Sequence, residues 1–295
     1  MLLQKKSIIG SFIFNLYLFK DFLIKYFIMQ QSKEQIDYRY NGWTNLCSQI
    51  NNFNIYQFRQ NPHFCSIVET VSPHFGMLYF NNIINNYSKY ISNIDWKTIE
   101  VLANVGDPYN QEYKFNNNKY SLSPTILRYI QFTLDTLTHI KNNTSLTELN
   151  IVEVGGGFGF QSILLYELAH LFDLKILKYT ILDLEPVCNL QNTFITECKK
   201  FTNIKYDNLK SITIDHYTSD NNNFFISNYA LGELNTYWQN RYIREVVNKI
   251  KHGYLCWNFS PENPKIHSYF SSIETTQEEE NPQTNNSVKN YIIRY

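Results

Sequence analysis

The chain has 295 residues, a formal net charge of +0 and a pI of about 7.0, which leaves room for one large domain or a catalytic domain with a smaller cap. That balance supplies no basic surplus for a nucleic-acid partner. With 43% hydrophobic residues, 23 Tyr and 21 Phe the chain can pack a globular core, and its richness in Asn, Ile, Lys and Tyr reads as the codon bias of an AT-rich genome.

Residues 7–19 form an uncharged, mostly apolar run. It is shorter than the roughly 20 residues a spanning helix needs, and Lys20, Asp21 and Lys25 interrupt its continuation. Lys5 and Lys6 would suit a signal peptide, but no small-residue cleavage site follows. Residues 1–29 are therefore expected to be a helix packed on the domain, or an extension ahead of a start at Met29, and not a membrane anchor. Cys47, Cys65, Cys188, Cys198 and Cys256 are odd in number, scattered and without a C-x-x-C pair. They point to neither a disulfide framework nor a zinc site, and to a reducing, cytoplasmic compartment.

Residues 30–145 read as a mainly helical cap or substrate region, with loops at the Asn-rich stretches around Asn51, Asn81 and Asn116. The clearest helix there spans 123–141. Ser123 can cap it, Pro124 takes the first helical position, and Ile126, Leu127, Ile130, Leu134 and Leu137 recur at helical spacing. From 146 to 295 a second domain alternates strands and helices: strands at 149–154, 177–183, 211–215, 223–228 and 254–259, helices at 160–172, 186–200 and 236–251. Thr236 and Gln239 make a capping-box pattern for the last helix and Gly253 marks its end. Glu278, Glu279 and Glu280 read as a solvated loop, and 290–295 as a final strand. The pattern predicts an α/β fold, a doubly wound, mostly parallel sheet with ligands at the carboxyl ends of its strands.

At the end of the first of these strands stands Glu153-Val154-Gly155-Gly156-Gly157-Phe158-Gly159-Phe160. Glycine admits positive φ and lets a ligand approach the backbone, while the helix that follows offers unpaired N–H groups. The spacing is G-x-G-x-G, with Phe160 where the third glycine of the dinucleotide fingerprint would stand, which favours S-adenosylmethionine over NAD. A glycine-rich turn with no ligand is the plain alternative. Asp183, closing the next strand, lies where a ribose-binding acid belongs, or else complements the helix dipole. Glu153 can hold an ammonium directly or through water, or accept from the turn. Asp215 is a candidate for an adenine amino group, with Asp220 as a rival, and Asn228 falls on the same strand edge.

The fingerprint, Ile181-Leu182-Asp183-Leu184-Glu185-Pro186 and Ile226-Ser227-Asn228-Tyr229-Ala230-Leu231-Gly232-Glu233-Leu234 together resemble class I S-adenosylmethionine-dependent methyltransferases. More narrowly they resemble the sugar O-methyltransferases of polysaccharide gene clusters. Gly106-Asp107-Pro108, the segment from Ser121 to Tyr129 and Glu280-Asn281-Pro282-Gln283-Thr284 extend the likeness over roughly residues 60 to 295. The resemblance implies methyl transfer to a hydroxyl of a sugar or glycan, with cofactor roles at Glu153, Gly155, Gly157, Gly159 and Asp183.

An acceptor hydroxyl must lose a proton, so His216 and Glu233 are the candidate general bases, with a surface histidine and a helix-flanking acid as their plain alternatives. His74 and Tyr109 are candidates for lining the acceptor site. No clustered metal-ligand pattern is present, although a divalent ion would be compatible with the chemistry. A nucleic-acid amino methyltransferase should carry a proline-containing turn where this chain has Asn228-Tyr229-Ala230-Leu231. A catalytically inactive cofactor-binding module and a methyltransferase of another small molecule remain open, and the sequence leaves the oligomeric state undetermined.

Overall fold

A computed structural model gives the structure of residues 38–295 apart from 53, 207, 220, 260–264 and 285–288, and the expectations for residues 1–29 and for Asp220 lie outside the described residues. The first half is α1 (Tyr38–Gln49), α2 (Pro62–Ile67), α3 (Pro73–Asn86), α4 (Ser88–Ile91) and α5 (Trp96–Ala103), then a hairpin of β1 (Gln111–Phe115) and β2 (Asn118–Leu122). Proline opens α2 and α3, where Asn61 and Ser72 accept from the N–H groups of His63 and Phe75. Asn116 and Asn117, both at positive φ, supply the two-residue turn whose twist matches the hairpin. Asn81 is not in a loop. It sits on the exposed face of α3, whose opposite stripe of Tyr79, Phe80 and Ile83 is buried, so packing overrides its turn preference.

The second half begins with α6 (Pro124–Asn143) and β3 (Glu148–Val154), followed by α7 (Phe160–Leu168), β4 (Lys175–Leu182), α8 (Glu185–Cys198) and β5 (Leu209–Ile212). It continues through β6 (Phe224–Tyr229), α9 (Ala230–Glu233), α10 (Thr236–Glu245), β7 (Gly253–Trp257), α11 (Ser268–Ser271), β8 (Thr276–Glu279) and β9 (Tyr291–Arg294). The seven strands from β3 onward form one sheet in the order β5-β4-β3-β6-β7-β9-β8. The first five are parallel, and β9 runs antiparallel to both its neighbours. Counted from β3, the order opens 3-2-1-4-5, the doubly wound arrangement that reverses direction between its first and fourth strands. Gly42–Tyr295, cap and sheet together, pack as one unit.

Alternate side chains divide the sheet's two faces. Val152, Val154, Phe225, Leu255, Trp257 and Ile293 pack on one side against Tyr242 and Ile243 of α10. On the other side α6 crosses the sheet, with Phe132 against Tyr254 and His139 against Phe224. α3 lies on α6, its Gly76 so close to Pro124 that a Cβ there would stand 2.7 Å from the proline ring.

Three local expectations change. The acidic run is no loop: Glu278 and Glu279 lie in edge strand β8 and Glu280 is buried, because β9 offers a free ladder and Tyr79 and Asn290 satisfy the Glu280 carboxylate. α10 is capped by Asn235, which accepts from the Trp238 N–H, while Gln239 turns inward to the carbonyls of Leu231 and Gly232. The third parallel strand stops at Ile212, so Asp215 and His216 sit on a short 3-10 turn. Among the described residues no helix is long and apolar enough to cross a membrane.

Candidate functional site

β3 delivers the glycine loop to the carboxyl edge of the sheet, at the position where strand order reverses. Gly155, Gly157 and Gly159 have φ of 74°, 57° and 94°, so the three glycines of the G-x-G-x-G reading are the ones whose backbone requires glycine. Two also lack room for a side chain. A Cβ on Gly155 would stand 2.0 Å from that of Ala230, and one on Gly157 would stand 2.6 Å from the Tyr129 hydroxyl. Between Gly157 and Gly159, Phe158 turns down and is fully buried, edge-on to Phe64 and Phe194 at 5.6 and 4.9 Å, with the Arg59 guanidinium 4.7 Å from its ring. The loop is pinned into the cap by an aromatic side chain, with Gly155 and Gly157 left partly exposed.

Two carboxylates flank the loop in different ways. Glu153 is 1% exposed, and Tyr179 donates to its Oε2 over 2.9 Å. Its carboxylate lies beneath Gly156, whose Cβ position is 3.0 Å from Oε2. Burial, with a smaller push from the Asp183 charge, raises its pKa to about 8 against the lowering effect of the Tyr179 hydrogen bond. Asp183 is half-buried at the end of β4. Its Oδ1 accepts from the Leu184 N–H and its Oδ2 from Gln191 Nε2, each at 2.9 Å. Burial brings its pKa up to about 6, opposed by these hydrogen bonds.

Gln191, on the buried face of α8, ties these parts together. Its Nε2 donates both to Asp183 and to the Gly157 carbonyl at 2.9 Å, and its Oε1 accepts from the Ser211 hydroxyl on β5. Both of its donors and its carbonyl oxygen are engaged in holding the loop, the acid and the neighbouring strand in register. Sequence reading missed it because a glutamine on a helix face carries no motif; the one signal is its place about two turns into the helix after Asp183.

The remaining candidates are spread along the sheet edge. Asp215 is exposed and paired with Arg241 at 2.5 Å. His216, also exposed, has Nδ1 3.0 Å from the Thr213 hydroxyl. Both follow β5, and β4 and β3 intervene before β6, so the structure does not bring His216 to the other candidate base. Asn228 is the penultimate residue of β6 and donates to Gln161 Oε1 over 2.6 Å, leaving Asn228 Oδ1 and Gln161 Nε2 buried without a partner. Glu233 is exposed at the end of α9 and accepts from Asn258 Nδ2 at 2.6 Å. His74 and Tyr109 are both exposed, on α3 and just before the hairpin.

A buried network beside Asn228 was not foreseen. Tyr229 is held at φ 70°, unusual for a bulky residue. Its hydroxyl donates to Glu280, which also accepts from Tyr79 at 2.7 Å and from Asn290 Nδ2 at 2.8 Å. These contacts over-determine the strained backbone at the end of β6. A cavity of about 330 Å³ lies next to them, with Gln131, Asp135, Glu279, Glu280 and Asn281 in its wall. Its signal in the sequence was Glu280-Asn281-Pro282, noted only for its likeness to the family.

No family model matches the sequence, and none of the curated proteins does. Solved structures of partial likeness include an S-adenosylmethionine-dependent methyltransferase from Aquifex aeolicus, 12% identical over 55% of this chain and 87% of that one, with a TM-score of 0.39. An rRNA methylase from Streptococcus thermophilus is 13% identical over 57% and 93%, with a TM-score of 0.38. The CMeT domain of the citrinin polyketide synthase is 14% identical over 58% of this chain and 53% of that chain, with a TM-score of 0.39. Overlap this partial leaves the chemistry of the site to its own residues.

Proposed function

We propose that the chain is an S-adenosylmethionine-dependent O-methyltransferase acting on a hydroxyl of a sugar or glycan. The observation that carries the cofactor reading is the joint placement of a side-chain-free loop and Asp183, coupled through Gln191, at the point where the sheet reverses order. The residues fit the group: Gly155 and Gly157 are partly exposed backbone without side chains at the carboxyl edge of the sheet, and Asn228 Oδ1 and Gln161 Nε2 are buried polar atoms lacking a partner beside them. The sugar acceptor rests on the resemblance of the motif segments.

When bound, the cofactor supplies an electrophilic methyl on a sulfonium. The chain's own residues do the rest. Asp183 would accept from the ribose hydroxyls, the glycine loop would give the ligand bare backbone, and Asp215, on the turn after β5 and paired with Arg241, would be the acid on the adenine side. After β6, Glu233 would take the proton of the acceptor hydroxyl. His216, on the far side of β3 and β4, is the less favoured base of the two. Alignment of oxygen, carbon and sulfur and exclusion of water provide most of the rate.

Calorimetric titration with S-adenosylhomocysteine and with NAD, followed by incubation of labelled S-adenosylmethionine with a panel of nucleotide sugars and glycans, tests both levels. Binding of the sulfur cofactor and label in a sugar support the reading. Tight NAD binding without the sulfur cofactor sinks it, and binding without transfer to any acceptor marks an inactive module.

A further inference from the structure

The fold buries two arginines near the glycine loop, and they differ in how their charge is met. Arg59 is fully buried and saturated: Glu69 pairs with it, and the Ala103 carbonyl and the Ser123 hydroxyl accept from it. Arg128, on the first turns of α6, is 9% exposed and makes two long hydrogen bonds, 3.4 Å to the Thr70 hydroxyl and 3.5 Å to the Val68 carbonyl. Among the described residues no carboxylate stands within ion-pair distance of it. Glu280 influences it only from farther off and is already engaged by Tyr79, Tyr229 and Asn290. A guanidinium cannot shed its proton, so a buried one with unspent donors calls for an anion.

Its position says which anion. The guanidinium carbon lies 5.0 Å from the centre of the Tyr229 ring, at the end of β6. The next residue of that strand edge, Ala230, abuts Gly155, and the next residue of α6, Tyr129, sets its hydroxyl against Gly157. Tyr129 thus packs against the loop while Arg128, its neighbour on α6, lies at the β6 end beside it. The acids assigned to the nucleoside stand on the opposite side, Asp215 after β5 and Asp183 after β4. A cofactor laid across the edge with its ribose at β4 has its amino-acid end at β6.

On the reading given under Proposed function, we infer that Arg128 holds the α-carboxylate of the sulfonium cofactor. The planar fork of the guanidinium matches a carboxylate in two parallel hydrogen bonds, which a point charge does not reproduce.

The test is calorimetric titration of the wild-type chain, Arg128→Gln and Arg128→Lys with three probes: S-adenosylmethionine, its decarboxylated analogue and 5′-methylthioadenosine, which lacks the whole amino-acid end. The wild type is expected to prefer S-adenosylmethionine over the decarboxylated compound by about tenfold to a hundredfold, the range for a charge-assisted pair. Arg128→Gln should bring the two within about twofold and leave 5′-methylthioadenosine affinity unchanged, which also reports an intact fold. Arg128→Lys should retain part of the preference. A wild type indifferent to the carboxylate overturns the inference without any variant, as does an Arg128→Gln chain that keeps the preference or weakens all three probes alike. A wild type that binds none of the three overturns the cofactor reading itself.

Discussion

Gln191 donates to Asp183 Oδ2 over 2.9 Å, so the acid assigned to the ribose is aimed by the helix that follows it. Gln191→Leu would keep the volume and strand three polar groups: Asp183 Oδ2, the Gly157 carbonyl and the Ser211 hydroxyl. Stability should fall by about 1–3 kcal/mol, the cost of orphaning a buried partner, read as a lower melting temperature. S-adenosylhomocysteine affinity should fall with it by about tenfold in titration. Unchanged affinity would show that Asp183 does not depend on this bridge.

The loop glycines should separate by cause. Gly159→Ala meets nothing closer than 3.7 Å and pays only for its φ of 94°, about 1–2 kcal/mol. Gly155→Ala pays that and also drives a Cβ to within 2.0 Å of Ala230, so the end of β6 must move. Chemical denaturation should rank Gly155→Ala as clearly the worse, and equal losses would mean that backbone conformation alone explains both.

Glu153 and Asp183 give the fold a characteristic pH dependence. Both have folded-state pKa values raised above those of the unfolded chain, to about 8 and about 6, so the folded state holds more protons between the unfolded and folded values. Stability contributed by the neutral forms is complete below the unfolded pKa and is lost as pH rises through the folded one. Melting temperature should therefore decline from about pH 5 to 8, and Glu153→Gln should flatten its share of the slope, at most about 1.4 kcal/mol per pH unit for one proton. A Glu153→Gln chain with the wild-type slope would locate the titration elsewhere.

Substitutions at the two ends of the site should differ in kind. Asp183→Ala should cost on the order of 2 kcal/mol in cofactor binding, about thirtyfold. Glu233→Gln should leave binding near the wild type and lower turnover by about 10²–10⁴. His216→Ala, across two strands from β6, should slow turnover far less. Should His216→Ala prove the slower enzyme, the base assignment reverses.

The half of the chain that was legible is the half whose geometry is local. A strand, a turn and a helix are contiguous in 148–168, so glycine spacing announces the loop, and the φ values of Gly155, Gly157 and Gly159 follow from it. Asp183 was legible for the same reason, one βα unit away. The Tyr79–Glu280–Tyr229 network joins residues up to 201 positions apart, and no local pattern marks a tertiary hydrogen bond. The acidic run misled because three consecutive glutamates look solvated, whereas edge strand β8 exposes Glu278 and Glu279 and turns Glu280 inward. The separation of His216 from Glu233 was illegible for the same reason: position after a strand is readable, but which strands lie between two strand ends is set by sheet order.

β9 is the last strand in sequence and an interior one in space, wedged between β7 and β8. On a ribosome the parallel strands β3 to β7, and with them the loop, Asp183 and Gln191, can close before residues 291–294 emerge. Among the described residues β8 has no ladder partner other than β9, and the Glu280 carboxylate that steadies Tyr229 follows directly from it. This edge of the sheet is thus completed after the parallel strands, by the insertion of one later strand beside β7. Chains halted a few residues short would carry the cofactor half of the site with an unfinished wall beside it.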